Sequence, residues 1–174
     1  MSILKIIEYG NPILREKSKE VTKISKKIKT LITDMLDTMY HANGVGLAAP
    51  QLGILKKMFA MSVAMEEEDG SFSTVEYAFV NPKIVSYSVQ MAYLKDGEGC
   101  LSVEEEHQGY VPRAARITLR GYDMLQDKEI EIRLRGYLAI VAQHEMDHFS
   151  GTLFYDKINK ENPFTEIENA LVIE

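Results

Sequence analysis

The clearest hydropathy pattern in the first third of the chain is helical. Within residues 22–41, apolar side chains recur at spacings of three and four, with lysines and aspartates between them. This pattern predicts an amphipathic surface helix with one face in the core. Thr22 and Ser25 are the candidate N-caps, and the pair Asn43-Gly44 predicts the end of the helix.

Residues 44–53 are rich in glycine and in small side chains. Because glycine has no side chain, another group can approach its backbone closely. We therefore expect a close-approach loop here, and not a packed helix or strand.

The middle of the chain changes to a period of two. Apolar and polar residues alternate through residues 85–93, and apolar and charged residues alternate through 130–134, which predicts two half-buried strands. Shorter strands are expected at residues 57–63, 77–80 and 116–122. Polar segments at residues 66–70 and 126–127 predict hairpin loops between them.

The C-terminal third predicts one buried helix. Residues 137–149 are apolar on nearly every side, and Ser150-Gly151 predicts where the helix ends. A final strand is expected at residues 170–173. We find no internal repeat and no long linker, so we expect residues 1–174 to form a single α+β domain. In it, mostly antiparallel strands would pack around this central buried helix.

Composition and charge restrict the possible partners. The chain has 174 residues, 45% hydrophobic and 26% charged, as in ordinary soluble globular proteins. Its net charge of −6 provides no overall basic field, so direct nucleic-acid binding is not expected. The longest apolar run is far too short to span a membrane, and charges interrupt the N-terminus where a secretory signal would be apolar. We expect a cytoplasmic protein without membrane contact.

The segment His144-Glu145-Met146-Asp147-His148 is the first candidate for chemistry. On a helix, two histidines four residues apart lie on one face and can hold one ion. Glu145 follows the first histidine and can exchange a proton with bound water. The alternative is a pair of solvated histidines on a surface helix, but the apolar residues 138–142 favour a buried site.

Two histidines leave a catalytic ion short of its usual three protein ligands. Cys100, the single cysteine, lies between glycines in residues 97–102, where an ion and a substrate can come close to the backbone. The alternative is a small cysteine buried in the core. The surrounding glycines favour a ligand.

Three segments together resemble the signature motifs of peptide deformylases, in the order found in that family. They are residues 44–51, 98–102 and 144–148, and residues 111–113 and 154–156 are similar to the family as well. The resemblance implies a hydrolase that removes the formyl group from the N-terminal formyl-methionine of newly made polypeptides.

By the same resemblance, Cys100, His144 and His148 are the metal ligands, and Glu145 is the general base and then the general acid. The side-chain amide of Gln51 and the backbone N–H of Leu101 would donate to the developing oxyanion. The resemblance favours Fe(II) as the single divalent ion, although zinc, nickel and cobalt also suit these ligands.

The resemblance also implies a substrate site. Val45, Gly46 and Gly99 would bind the substrate backbone as an added strand. The residues that would border the methionine pocket are Glu98, Tyr137, Ile140 and Val141. Asp147 would face away from the metal and pair with Arg113. The expected partners are formyl-methionyl nascent peptides and the ribosome near its exit region.

The chain departs from the family pattern in residues 103–108, where some members carry a basic residue that helps to hold the substrate. His107 or Gln108 would stand there. The chain also lacks the long basic C-terminal helix of some members, so its subclass stays open.

Two other functions are compatible with parts of the pattern. Zincin-like endopeptidases share a His-Glu-x-x-His helix, but they commonly take their third ligand from downstream, and no histidine follows His148. A structural metal site normally has four protein ligands, and only three candidates converge here.

Overall fold

A computed structural model describes residues 1–104 and 107–174. In these residues the chain forms two α-helices, α1 (Lys26–His41) and α2 (Gly136–Asp147), and several short 3-10 turns. Eight strands accompany them: β1 (Gly46–Ala48), β2 (Met58–Glu66), β3 (Phe72–Tyr87), β4 (Met91–Leu94), β5 (Arg113–Ala114), β6 (Arg116–Asp123), β7 (Lys128–Arg135) and β8 (Leu171–Ile173).

The strands form two sheets. The larger one has the order β1-β2-β3-β6-β7 and is antiparallel throughout, and the smaller one has the order β5-β4-β8. Only the β4–β8 pair is parallel among the strand pairs of the described residues. The expected α+β class with mostly antiparallel strands is therefore confirmed, and so are the strands predicted at residues 116–122, 130–134 and 170–173.

The single strand predicted at residues 85–93 is wrong. Strand β3 ends at Tyr87, and β4 begins at Met91 in the other sheet. Between them, the Ser88 hydroxyl donates to the carbonyl of Gln90 (2.7 Å) and accepts from a backbone N–H of β6 (3.0 Å), while Val89 is fully solvated. A local turn closed by a serine side chain therefore overrides the alternation.

Helix α1 begins at Lys26, because Ser25, one of the two candidate N-caps, is the N-cap. Its side chain accepts a hydrogen bond from the backbone N–H of Ile28 at 3.3 Å. The buried side of the helix packs on one face of the large sheet, against Met58 and Val80.

Helix α2 packs on the opposite face of the large sheet. Phe59 and Phe79, which neighbour the α1 contacts in β2 and β3, belong to the same apolar cluster as Ala139 and Val141 of α2. The Gln143 side chain accepts from the backbone N–H of Ala114 (3.0 Å) and donates to its carbonyl (2.9 Å). This pair of bonds fastens α2 to β5.

The predicted C-terminal helix is confirmed, but it ends two residues earlier than expected. Regular α-helix ends at Asp147, and a 3-10 turn over His148–Ser150 continues to Gly151, which has a φ of 69°. Among the described residues, no helix is both long and apolar enough to cross a membrane.

Residues 44–53 were predicted to form a loop without a helix or strand, and this prediction is wrong. Residues 46–48 form β1, an edge strand of the large sheet, and Ala49–Leu52 form a 3-10 turn. The close approach expected here does occur, because a methyl group added to Gly44 would overlap Leu101, and one added to Gly46 would overlap the Glu145 carboxylate.

Candidate metal centre

Cys100, His144 and His148 come together between α2 and the segment that follows β4. One ligand atom from each residue lies within 4.8 Å of the other two, and Cys100 Sγ is 3.6 Å from His148 Nε2. The helix places both imidazoles on one face, one turn apart, as the spacing predicts. Cys100 lies in a tight turn closed by a hydrogen bond from the Val103 backbone N–H to the Cys100 carbonyl (3.0 Å).

Glu98 and Arg113 fix the orientation of the first imidazole. Glu98 Oε1 is 2.9 Å from His144 Nδ1, and Glu98 also accepts from Arg113 at 2.8 and 3.0 Å. Burial alone would raise the pKa of Glu98, but the hydrogen bonds from His144 and Arg113 lower it to about 2. A charged Glu98 keeps the proton on Nδ1, so Nε2 of His144 is directed at the ligand cluster.

The predicted pair between Asp147 and Arg113 is also confirmed. Arg113 Nη1 lies 2.5 Å from Asp147 Oδ2. The guanidinium is therefore held by two carboxylates, Glu98 and Asp147, although it is almost completely buried. Because Arg113 is in β5 and Asp147 ends α2, this ion pair holds the metal-binding end of the helix against the small sheet.

The protonation of the two histidines fits a cation. Burial lowers the pKa of His148 to about 3, so its ring is neutral, as a metal ligand requires. Burial would also lower the pKa of His144, but hydrogen bonds with Cys100 and Glu98 raise it to about 10. Both rings must be neutral to bind a metal ion, so a divalent cation at this site would displace the additional proton from His144. The residues present therefore fit a metal ion.

Glu145 lies beside the ligands and is 4% exposed. Burial raises the pKa of its carboxyl to about 7. Its Oε2 atom is buried and has no hydrogen-bond partner among the residues that the structure describes. The missing side chain at Gly46 leaves the space that the Glu145 carboxylate occupies. The arrangement supplies a carboxyl group that can both accept and release a proton near neutral pH.

Gln51 approaches the same cluster from the turn after β1. Its Oε1 atom accepts from the Ala48 backbone N–H (2.9 Å), and its Nε2 atom lies 3.1 Å from Ser102 Oγ and 3.5 Å from Cys100 Sγ. With Oε1 occupied by a donor, the NH₂ group must face the cysteine. Ser102, which is completely buried, was not singled out from the sequence, although it belongs to the cysteine motif.

Comparison with known proteins identifies the family of the chain. The sequence profile of the family described as "Polypeptide deformylase" matches residues 3–164. Peptide deformylase 2 of Bacillus subtilis is 46% identical over 182 aligned residues, which cover 97% of this chain and 96% of that protein. Peptide deformylase of Levilactobacillus brevis is 43% identical, with 97% of each chain covered.

The chain belongs to the peptide deformylase family. Solved deformylases have the same fold. The structure from Ehrlichia chaffeensis gives a TM-score of 0.83 at 36% identity and covers 93% of this chain and 91% of its own. A Met-Ala-Ser-bound class I type b enzyme from Acinetobacter baumannii gives a TM-score of 0.79 at 31% identity, with 90% and 99% covered. This deformylase is therefore a metal-binding hydrolase that acts on the formyl group of nascent peptides.

A cleft of about 330 Å³ opens beside the candidate metal ligands of this deformylase. Its walls include Val45, Gly46, Gly99, Leu101 and Tyr137. A smaller recess of about 70 Å³ adjoins it and is lined by Glu98, Ile140 and Val141, among others. All the residues expected to bind substrate thus lie at one place. Leu94, which also lines the recess, was not predicted, because its position in β4 carries no motif.

The segment after the cysteine motif borders a separate hollow. His107 and Gln108 line it together with Glu98 and Gly99. The His107 ring stacks on Tyr155 with 4.1 Å between the ring centroids. Residues 105–106 of this segment lie outside the described residues. The expectation that His107 or Gln108 helps to hold the substrate stays a prediction.

Proposed function

We propose that residues 1–174 act as a single catalytic domain in which Cys100, His144 and His148 hold one divalent ion and Glu145 transfers protons. The observation that carries this proposal is the converging set of three ligand atoms with a buried, unpartnered carboxyl group beside it. A structural metal site would not need such a carboxyl group. The endopeptidase alternative is set aside by the family membership and by the upstream cysteine.

The metal is proposed to be Fe(II). A thiolate with two imidazoles suits iron, zinc, nickel or cobalt, and family resemblance favours iron. When bound, a divalent ion at this site would polarise a carbonyl oxygen and acidify a water molecule. Glu98 supports the ion indirectly, because it keeps His144 in the tautomer that can bind it.

Glu145 is proposed to take a proton from the attacking water and to return it to the leaving nitrogen. A pKa of about 7 suits both transfers, since the group is then neither a strong acid nor a strong base at neutral pH. The water oxygen forms a bond to the formyl carbon, and the carbon–nitrogen bond breaks. The products are formate and a peptide with a free amino terminus.

Gln51 and Leu101 are proposed to stabilise the oxyanion that develops on the formyl oxygen. The NH₂ group of Gln51 faces the cysteine because its carbonyl is held by Ala48. The backbone N–H of Leu101 follows the cysteine directly and would be the second donor.

The substrate is proposed to bind as a short strand along β1. Strand β1 is an edge of the large sheet, so a substrate strand can pair with the backbone of Val45 and Gly46 on its outer side. Gly99 lies across the cleft. Tyr137, Ile140 and Val141 would surround the methionine side chain, and Glu98 would border the pocket. The Met-Ala-Ser-bound relative from Acinetobacter baumannii supports a peptide that begins with methionine.

The proposed substrates are formyl-methionyl nascent peptides, which the enzyme would meet in the cytoplasm near the ribosomal exit region. The family's action on nascent formylated peptides supports this setting. The proposed encounter with nascent peptides requires no membrane contact.

The test is formate release from formyl-Met-Ala-Ser by protein purified without oxygen, with metal content measured on the same sample. We expect about one metal ion per chain, the number for an open three-ligand site. Acetyl-Met-Ala-Ser and casein are the controls. We expect slow or no hydrolysis of both, because Leu101, Gln51 and the glycine segment are proposed to crowd the acyl carbon, where a formyl group carries only a hydrogen. Cleavage of casein without formate release would contradict the proposal.

A further inference from the structure

One end of the large sheet carries an unpaired group of arginines. We call it the arginine face and define it by Arg116, Arg133 and Arg135. All three side chains are exposed, and none has a carboxylate within 4.0 Å among residues 1–104 and 107–174. This is unusual for a chain with a net charge of −6. The three side chains line an open hollow of about 560 Å³.

Strand register places the three arginines on the same side of the sheet. Ile117 and Leu134 point into the cluster that packs against α2, so the neighbouring residues in β6 and β7 point the other way. On that other side, α1 packs on β1 and β2 and reaches the turn between β6 and β7, where Lys29 approaches Asp127. The opposite end of β6 and β7 lines the open hollow. The arginine face therefore lies on the side of the sheet opposite to α2 and the metal centre.

The ladder between β6 and β7 gives an internal comparison. Arg120 lies opposite Glu131 and binds it at 2.8 Å, and Asp123 lies opposite Lys128. At the other end of the same ladder, Arg116 lies directly opposite Arg135. Like charges at opposed positions destabilise a sheet, whereas opposite charges stabilise it. An anion bound between the two arginines would remove this repulsion.

The chemistry of the arginine face favours phosphate. Guanidinium groups bind phosphate oxygens through paired hydrogen bonds, and the hydroxyls of Ser86 and Thr118 add two further donors in the same hollow. Neighbouring positions are about 5 Å apart across the strands and about 7 Å apart along β7. This spacing allows successive phosphate groups to meet different guanidinium groups.

We propose that the arginine face binds the phosphate backbone of single-stranded RNA without sequence preference. A protein partner would require an apolar centre in its interface, whereas the hollow is lined mainly by arginines and hydroxyls, with Tyr87 as its exposed aromatic side chain. RNA backbone binding needs only local positive charge and hydrogen-bond donors, so the proposal departs from the expectation based on the overall net charge of −6. The site is independent of the metal centre, and because the two lie on opposite sides of the sheet, bound RNA leaves the substrate cleft open.

The experiment measures binding of a fluorescein-labelled uridine oligonucleotide of about ten residues by fluorescence anisotropy. With three phosphates contacted, the logarithm of the binding constant should fall against the logarithm of the salt concentration with a slope of about −2. Between about 50 and 200 mM salt this corresponds to a loss of roughly 15-fold. The triple variant Arg116→Gln/Arg133→Gln/Arg135→Gln should bind the oligonucleotide much more weakly, and its remaining binding should depend little on salt concentration.

Three variants serve as matched controls. Lys23→Gln/Lys26→Gln/Lys27→Gln changes the net charge equally but lies on α1 and before it, and it should bind like the original protein. Arg120→Gln removes an arginine that Glu131 already neutralises and should have little effect. The triple arginine-to-lysine variant keeps the charge and should keep the slope. Formate release should be unchanged in all of them, which verifies the fold.

Three results would overturn the proposal. The first is equal binding by the original protein and the triple glutamine variant. The second is an equal loss in the α1 lysine variant, which would mean that net charge alone matters. The third is competition by inorganic pyrophosphate or by an oligoglutamate as effective as that of unlabelled RNA, since the face would then take small phosphates or acidic proteins.

Discussion

At the scale of single residues, the metal centre depends on side chains that do not touch the metal position. Glu98 holds the His144 ring, Ser102 holds Gln51, and Gly46 leaves space for Glu145. The convergence of the three candidate ligands could be predicted, because the histidine spacing on a helix and the glycines around Cys100 indicate a metal site. The supporting contacts could not, because they join residues between 46 and 99 positions apart in the chain, and no spacing rule connects such residues.

Glu145 provides the first prediction at this scale. Glu145→Ala should keep the metal, because Glu145 is not among the three ligands. Formate release should fall by about 10²–10⁴-fold, the typical cost of losing a general acid–base group. Metal analysis and single-turnover kinetics on one preparation measure both quantities. Near-normal turnover would mean that another group transfers the proton.

Gln51 provides the second prediction at this scale. If its NH₂ group donates to the oxyanion, Gln51→Leu should lower kcat by about 10²–10³-fold and leave KM nearly unchanged. Steady-state kinetics on formyl-Met-Ala-Ser separates the two parameters. The control is Gln108→Leu, a glutamine in the neighbouring hollow with no proposed role at the oxyanion. A change in KM alone would make Gln51 a residue that only positions the substrate.

At the scale of elements, hydropathy periods predicted the strands β6 and β7 and both helices, but not where β3 ends. Alternation continues from Val85 to Tyr93, and only the Ser88 hydroxyl bonds to Gln90 and to the backbone of β6 show why the chain turns there. Strand β1 was also missed, because a segment of three residues that begins with glycine is too short to show a period of two. Its position next to α2 nevertheless shapes the site.

Gly46→Ala tests that contact between β1 and α2. The backbone of β1 is fixed by its pairing with β2, so the added methyl group must displace the Glu145 carboxylate instead. A displacement of about 1 Å at a catalytic group can cost about 10²-fold in rate, and we expect a loss of that size in kcat with the metal retained. Kinetics and metal analysis check this. A rise in KM alone would show that the methyl group obstructs the substrate and leaves Glu145 in place.

At the scale of the whole molecule, the candidate metal ligands add a further link between two parts of the chain that Glu98 and Arg113 already join. Cys100 belongs to the segment after β4, and both histidines belong to α2 and its last turn. Arg113 ties the same end of α2 to β5 through Asp147. A cation at the centre therefore links the small sheet segment to the buried helix, and its binding energy contributes to the stability of the folded chain.

Removal of the metal should for this reason lower the unfolding temperature. A ligand present at about 100 times its Kd stabilises the folded state by about 2.7 kcal/mol, and a chain of this size shifts by about 2–4 °C for each kcal/mol. We expect chelation to lower Tm by roughly 5–10 °C, and added Co²⁺ or Zn²⁺ to restore it. Cys100→Ala serves as the matched control, because its Tm should respond neither to chelator nor to metal. If the original protein and Cys100→Ala respond equally, the ion that stabilises the fold is bound elsewhere, and Cys100 is not one of its ligands.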